Sequence, residues 1–210
     1  MTGSAFAQLD ATEPFTAQPL AWPEQMTDLG LEFGARAAAL PFVAVSHLID
    51  IGVPAPFVAR LTGQNDLALA RVALGHRGLF TWEGDQRRLL LAVRDEGAVV
   101  DVCALRLAKP QEWHLLTGAG RLLGDEWLRA ALIGTVRTLR IFGDPLAWMR
   151  GSGSGVCVLR WSRETISELR SLGEGLTLLC DDQRAARRLN SILAWDHLPA
   201  VRIHKDRVAA

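Results

Sequence analysis

Two adjacent carboxylates, Asp181 and Asp182, follow the apolar run LTLLC (176–180), and a third, Asp144, follows LRIFG (139–143). Carboxylates at the ends of buried runs can hold Mg²⁺ and move protons in phosphoryl transfer, because this hard cation takes oxygen ligands in a near-octahedral shell. Asp144, Asp181 and Asp182 are therefore the candidate catalytic residues if the protein is an enzyme, with Asp181 and Asp182 as the Mg²⁺ ligands. A conformational role competes. Asp144 precedes Pro145 and Asp182 precedes an amphipathic run, the positions at which Asp caps a helix, and the sequence favours capping.

The second cluster is basic. Arg184, Arg187 and Arg188 share one helical run, and Arg202, Lys205 and Arg207 follow with His204, so the C-terminal part is locally basic in a chain whose 23 basic and 23 acidic side chains cancel. Arg184, Arg187, Arg188, Arg202 and Lys205 are the candidate contacts to a nucleic-acid backbone. The competing reading, a solvated helix face balanced by Glu164, Glu168 and Glu174, carries slightly more weight.

Other motifs are weaker. GSGSG (151–155) precedes a strand, whereas a phosphate loop follows a strand and opens a helix, so a flexible helix-to-strand turn is favoured, and the same flanks disfavour a nucleophile elbow. The five histidines have no paired spacing and the three cysteines are far apart, so no zinc pattern is present. Asp101, between Val100 and Val102, is expected on the exposed face of a strand rather than turned inward. The seven tryptophans are expected mostly in the core, with some available to stack on bases.

The elements that would position these residues follow from periodicity. Residues 1–27 contain three prolines and no sustained period, which reads as a flexible arm. Residues 28–75 read as a helical subdomain: a helix through Phe42, Val45, Leu48 and Ile49 closed by Gly52, a second over 55–61, and a third over 65–74 capped by Asn65. Residues 76–138 shift to strands at 78–82, 88–94, 99–107 and 113–116, with turns at Glu83-Gly84-Asp85 and Asp95-Glu96-Gly97 that imply an antiparallel meander, then a helix over 125–133. Residues 139–210 alternate strand and helix, with strands at 138–142, 155–161, 176–180 and 201–203. That order predicts an open Rossmann-like α/β sheet with parallel strands and a ligand crevice beyond their carboxyl ends.

Composition sets the outer limits. About half of the 210 residues are apolar, enough for a buried core, and no run approaches the roughly 18 apolar residues that span a bilayer. The N-terminus lacks a basic segment followed by an apolar stretch, and Cys103, Cys157 and Cys180 lie in or at the ends of apolar runs as expected for reduced thiols. The expected location is the cytoplasm, with no membrane partner.

The order of elements resembles the toprim-type catalytic core of bacterial, phage and plasmid primases. RLLLAVRDEGAVVDVCALRL (88–107) is similar to the hairpin before the toprim unit. LRIFGDPLAWMRGSGSGVCVL (139–159) is similar to its first strand, acidic-Gly turn, helix, Gly and strand. LTLLCDDQRAARRLNSIL (176–193) is similar to its later strand, Asp-x-Asp turn and helix. The resemblance covers roughly 77–210 and implies a toprim-like fold, nucleic-acid or replication-protein partners and, in an active enzyme, Mg²⁺. The chain departs from the pattern where the family has its proton-transferring Glu, since Phe142 stands there, and its two later acids are adjacent rather than alternate.

These features lead to three expectations. The first is a degenerate toprim-like protein of a phage, prophage or plasmid that binds nucleic acid or a replication partner without catalysis and without a cofactor. The second is a Mg²⁺-dependent nucleotidyl transferase or nuclease. The third is a protein-interaction or virion-associated scaffold module. The first is favoured, so the sequence points to a binding protein more than to an enzyme.

Overall fold

The computed structural model describes residues 28–173, 175–193 and 200–203 of the chain. The expected arm at 1–27, and Lys205, His204 and Arg207, lie outside the described residues. The architecture is mixed α/β in two compact units, residues 1–120 and 121–210. This division differs from the segments expected at 28–75, 76–138 and 139–210, because strands on either side of those limits share sheets.

In the first unit, three helices lead into a five-stranded sheet. Helix α1 (Leu29–Arg36) is capped by Asp28, whose carboxylate accepts the N–H groups of Gly30 (2.9 Å) and Leu31 (3.3 Å). Helices α2 (Phe42–Asp50) and α3 (Ala55–Gly63) follow Pro41 and Pro54, each of which sets an extended entry. The strands are β1 (Leu67–Leu74), β2 (Phe80–Trp82), β3 (Gln86–Asp95), β4 (Ala98–Leu105) and β5 (Trp113–Leu115), in the order β2-β1-β3-β4-β5. The sheet curls into a half-barrel, and Leu79 forms an isolated bridge with Leu115 near its two edges. Its core includes Phe33, Val72, Phe80, Leu90 and Val102.

Three expectations are corrected here. The run expected as a helix over 65–74 is the strand β1, which pairs antiparallel with both β2 and β3. Two long-range ladders outweigh the helix propensity of LALARVAL. The meander is also interrupted, since β1 lies between β2 and β3. The turn around Gly84 crosses β1, and a Cβ there would enter the backbone of Val72 and Ala73, so glycine is required by close approach. The turn between β3 and β4 does form a tight hairpin, with Glu96 and Gly97 both at positive φ.

The third correction concerns Asp101, which is fully buried rather than exposed. β4 is covered on both faces here, with Cys103 and Leu105 buried on the side of Asp101 and Val102 and Ala104 buried on the other, so alternation does not send Asp101 to solvent; a bulge at Val100 lies just before it. Both oxygens of Asp101 are bound by backbone N–H groups: Oδ1 accepts from Val102 (2.7 Å), Leu116 (3.0 Å) and Thr117 (2.9 Å), and Oδ2 accepts from Gly120 (2.8 Å).

The second unit contains β6 (Leu122–Leu123), α4 (Asp125–Leu132), β7 (Thr138–Phe142), α5 (Pro145–Arg150), β8 (Val156–Val158), α6 (Arg163–Ser171), β9 (Thr177–Cys180), α7 (Gln183–Leu193) and β10 (Ala200–Ile203). The order is β10-β9-β7-β8-β6, with β7, β8, β9 and β10 parallel and β6 antiparallel at the edge. The alternation read from the sequence is therefore a parallel α/β sheet. Leu139, Ile141, Val156, Leu169, Leu178 and Leu189 form much of its core. GSGSG is the turn between α5 and β8, as its flanks required. Among the described residues, no helix is long and apolar enough to cross a membrane.

Candidate functional site

Topology places the candidate acids at one point of the second sheet. The chain leaves β7 toward β8 on one side and leaves β9 toward β10 on the other, although β7 and β9 are neighbours. Adjacent parallel strands whose connections diverge open a crevice at their carboxyl ends. Gly143 and Asp144 follow β7 there, and Asp181 and Asp182 follow β9. Residues 38 positions apart are thus brought together, and the Gly143 N–H donates to Asp181 Oδ1 at 2.8 Å.

The three carboxylates have different tasks. Asp144 caps α5 by accepting the Ala147 N–H at 2.8 Å, and Asp182 accepts the Ala185 N–H at 2.6 Å at the start of α7. Asp182 also lies against Gly143, where a Cβ would collide with its Oδ2. Asp181 alone caps nothing. Burial first, and then the neighbouring Asp182 charge, raise its pKa to about 6, with the Gly143 N–H opposing and Asp144 adding to the rise. Burial also raises Asp144, against the N–H groups of Ala147 and Leu146 and the charge of Arg150. The Cys180 thiol beneath them is raised to about 12 by burial and the two aspartates, so it is not a nucleophile near neutral pH.

Phe142 occupies the position where the resemblance implies a Glu. It is buried at the end of β7, its ring lies over Gly151, and the Arg140 guanidinium sits 5.0 Å from the ring centroid. Arg140 was not singled out from the sequence, although its spacing of two from Phe142 on a strand was the available signal. Asp144 and Asp182 each commit one oxygen to a helix cap and Asp181 commits one to the Gly143 N–H, so each keeps a second oxygen, while Phe142 cannot exchange a proton.

The basic candidates lie along α7. Arg184, Arg187 and Arg188 are exposed, and the Arg188 guanidinium stacks 4.9 Å from the centroid of the half-buried Trp161 ring. Among the described residues, none forms an ion pair with these three arginines. Glu168, expected to balance them, is instead held by Arg121 Nη1 at 3.0 Å from each carboxylate oxygen. Glu164 is exposed, and its pKa is lowered chiefly by a hydrogen bond with Ser162. Arg202 lies on β10 beside β9. The sequence places the tryptophans mostly in the core with some free to stack, and the contact of Trp161 with a residue 27 positions later has no signal in it.

No protein-family model matches the chain, and no curated protein matches it.

Proposed function

We propose that this chain is a non-catalytic toprim-like protein, of phage, prophage or plasmid origin, that binds single-stranded nucleic acid through α7. The observation that carries the reading is the combination at the β7/β9 crevice: Asp181 stands on the Gly143 N–H, while Phe142 fills the proton-transfer position and Asp144 and Asp182 serve as helix caps. A toprim-like scaffold kept in this form retains its sheet and lacks its general acid. The exposed Arg184 and Arg187, with Arg188 on Trp161, provide cations and an aromatic face of the kind that single strands use. Reduced, buried Cys103, Cys157 and Cys180 suit a cytoplasmic location.

The test is fluorescence anisotropy of the full chain with labelled single-stranded DNA across a salt series. Binding should weaken steeply with salt, and R184E/R187E/R188E should weaken it by about a hundredfold or more, since each charge reversal alters phosphate contacts. Asp181→Ala should leave affinity within about twofold, because Asp181 is not among the proposed phosphate contacts. No binding at low salt overturns the proposal. Mg²⁺-dependent cleavage or nucleotide addition that disappears in Asp181→Ala would instead make the chain an enzyme.

A further inference from the structure

The first unit contains a second concentration of positive charge, inside its sheet. Arg88 on β3 is 3 % exposed, and its Nη1 has no hydrogen-bond partner. Arg106 directly follows β4, and its Nε and Nη1 are likewise buried without a hydrogen-bond partner. The β3–β4 ladder pairs Leu89 with Leu105 and Leu90 with Ala104, so its next step sets Arg88 opposite Arg106. His114 on β5 pairs with Ala104, and Trp82 and Gln86 both pair with Val72, which places all of these positions on one face of the curled sheet. Trp82 Nε1 is a further buried donor without a partner.

A pair of like charges with idle donors is expensive in a folded protein, since native structures pair nearly all buried polar groups. Local anions do not resolve it. Gln86 Oε1 accepts from Arg88 Nη2 at 2.7 Å, which orients the guanidinium and leaves Nη1 pointing elsewhere. Glu112 gives one oxygen to Lys109 Nζ at 3.1 Å, while its other oxygen lies 4.0 Å from Arg106 Nη1, too far for a hydrogen bond. Burial and the Arg106 charge lower the Arg88 pKa, and burial and Arg88 lower that of His114, in each case against the opposing charge of Glu112.

We infer that Arg88 and Arg106 form a binding site for a phosphoryl group, with Trp82 and His114 on the same face and Gln86 as the residue that orients Arg88. The unpaired atoms of the two arginines carry five N–H hydrogens, more than the roughly four lone-pair positions of a carboxylate and well matched to the three terminal oxygens of a phosphomonoester. The burial of Arg88 selects a terminal phosphate over an internal diester, whose flanking sugars would have to enter the sheet. This site is separate in sequence and in fold from the arginines of α7, so either can fail without the other.

The test is calorimetric titration and thermal denaturation of the full chain with inorganic phosphate, a nucleoside 5′-monophosphate and the matching nucleoside. Phosphate and the monophosphate should bind and raise the melting temperature, and the nucleoside should not. Tighter binding of the monophosphate makes the source a nucleotide or a nucleic-acid end; equal binding makes it free phosphate. Arg106→Gln should weaken binding at least tenfold. Arg88→Met should abolish binding while raising the melting temperature of the ligand-free protein, because it removes an uncompensated charge, and that gain separates loss of the site from loss of the fold. Absence of binding at millimolar phosphate, or equal binding by wild type and both variants, overturns the assignment.

Discussion

Asp101 in the first sheet and Asp181 in the second are both carboxylates whose pKa burial raises, but the surrounding backbone treats them differently. Four N–H groups bind Asp101 and counter the cost of burying it, so its oxygens are taken and it fixes the segment from Leu116 to Gly120. One N–H binds Asp181, which stands half-buried beside two further carboxylates at a crevice. Depth of burial alone therefore does not separate a structural acid from a site residue; the number of donors already committed to it does.

The largest effect is expected from Asp101→Ala. Removing the acceptor strands four N–H groups and should cost the first unit about 3–5 kcal/mol, read by denaturant unfolding. Because the chain has two units, a change confined to one of two transitions is the expected form. An effect below that of Asp181→Ala would remove the contrast between the two acids.

Phe142→Glu examines the other side of the comparison by placing an acid at the crevice. Its side chain replaces a buried ring that lies over Gly151, so a loss of about 3 kcal/mol in the second unit is expected, with no gain of Mg²⁺-dependent activity. Mg²⁺-dependent turnover by this variant would mean that the site lacks only its general acid.

The smallest effect concerns pH. Folded Asp181 keeps its proton up to about pH 6, where the same group in an unfolded chain has already lost it. The proton is then bound more tightly by the folded state, so stability from this group is greatest below the ordinary carboxylate range and is lost as pH rises to about 6. Allowing for solvent screening of a half-buried group, the change is on the order of 1 kcal/mol. Asp181→Asn should flatten that part of the stability profile, and NMR titration of Asp181 should report the raised midpoint. A midpoint near 4 would place Asp181 with ordinary surface acids.

The second unit was the more legible of the two. Strands β7, β8 and β9 are short apolar runs separated by helices with Asp or Ser at their starts, Asp144 before Pro145, Ser162 before α6 and Asp182 before α7, whereas the edge strand β6 carries no such signal. The first unit was less legible because its order depends on partners far apart in sequence. LALARVAL has no signal that distinguishes a helix from a strand held between β2 and β3, and Gly84 looks like an ordinary hairpin glycine until it is seen crossing Val72. The buried arginines were missed for the same reason, since Arg88 and Arg106 become neighbours only through the β3–β4 register.

The sequence by itself determined the α/β class, the strand–helix alternation of the second unit, the turn at Glu96-Gly97 and the caps at Asp144 and Asp182, because each shows in the pattern of a few neighbouring residues. Only the tertiary structure decided that β7 and β9 are neighbours with Asp181 on Gly143, that Asp101 is buried, and that two arginines meet inside the first sheet. Those outcomes depend on strand order and register, and the free energy that selects them comes from burying whole faces against one another rather than from any local run.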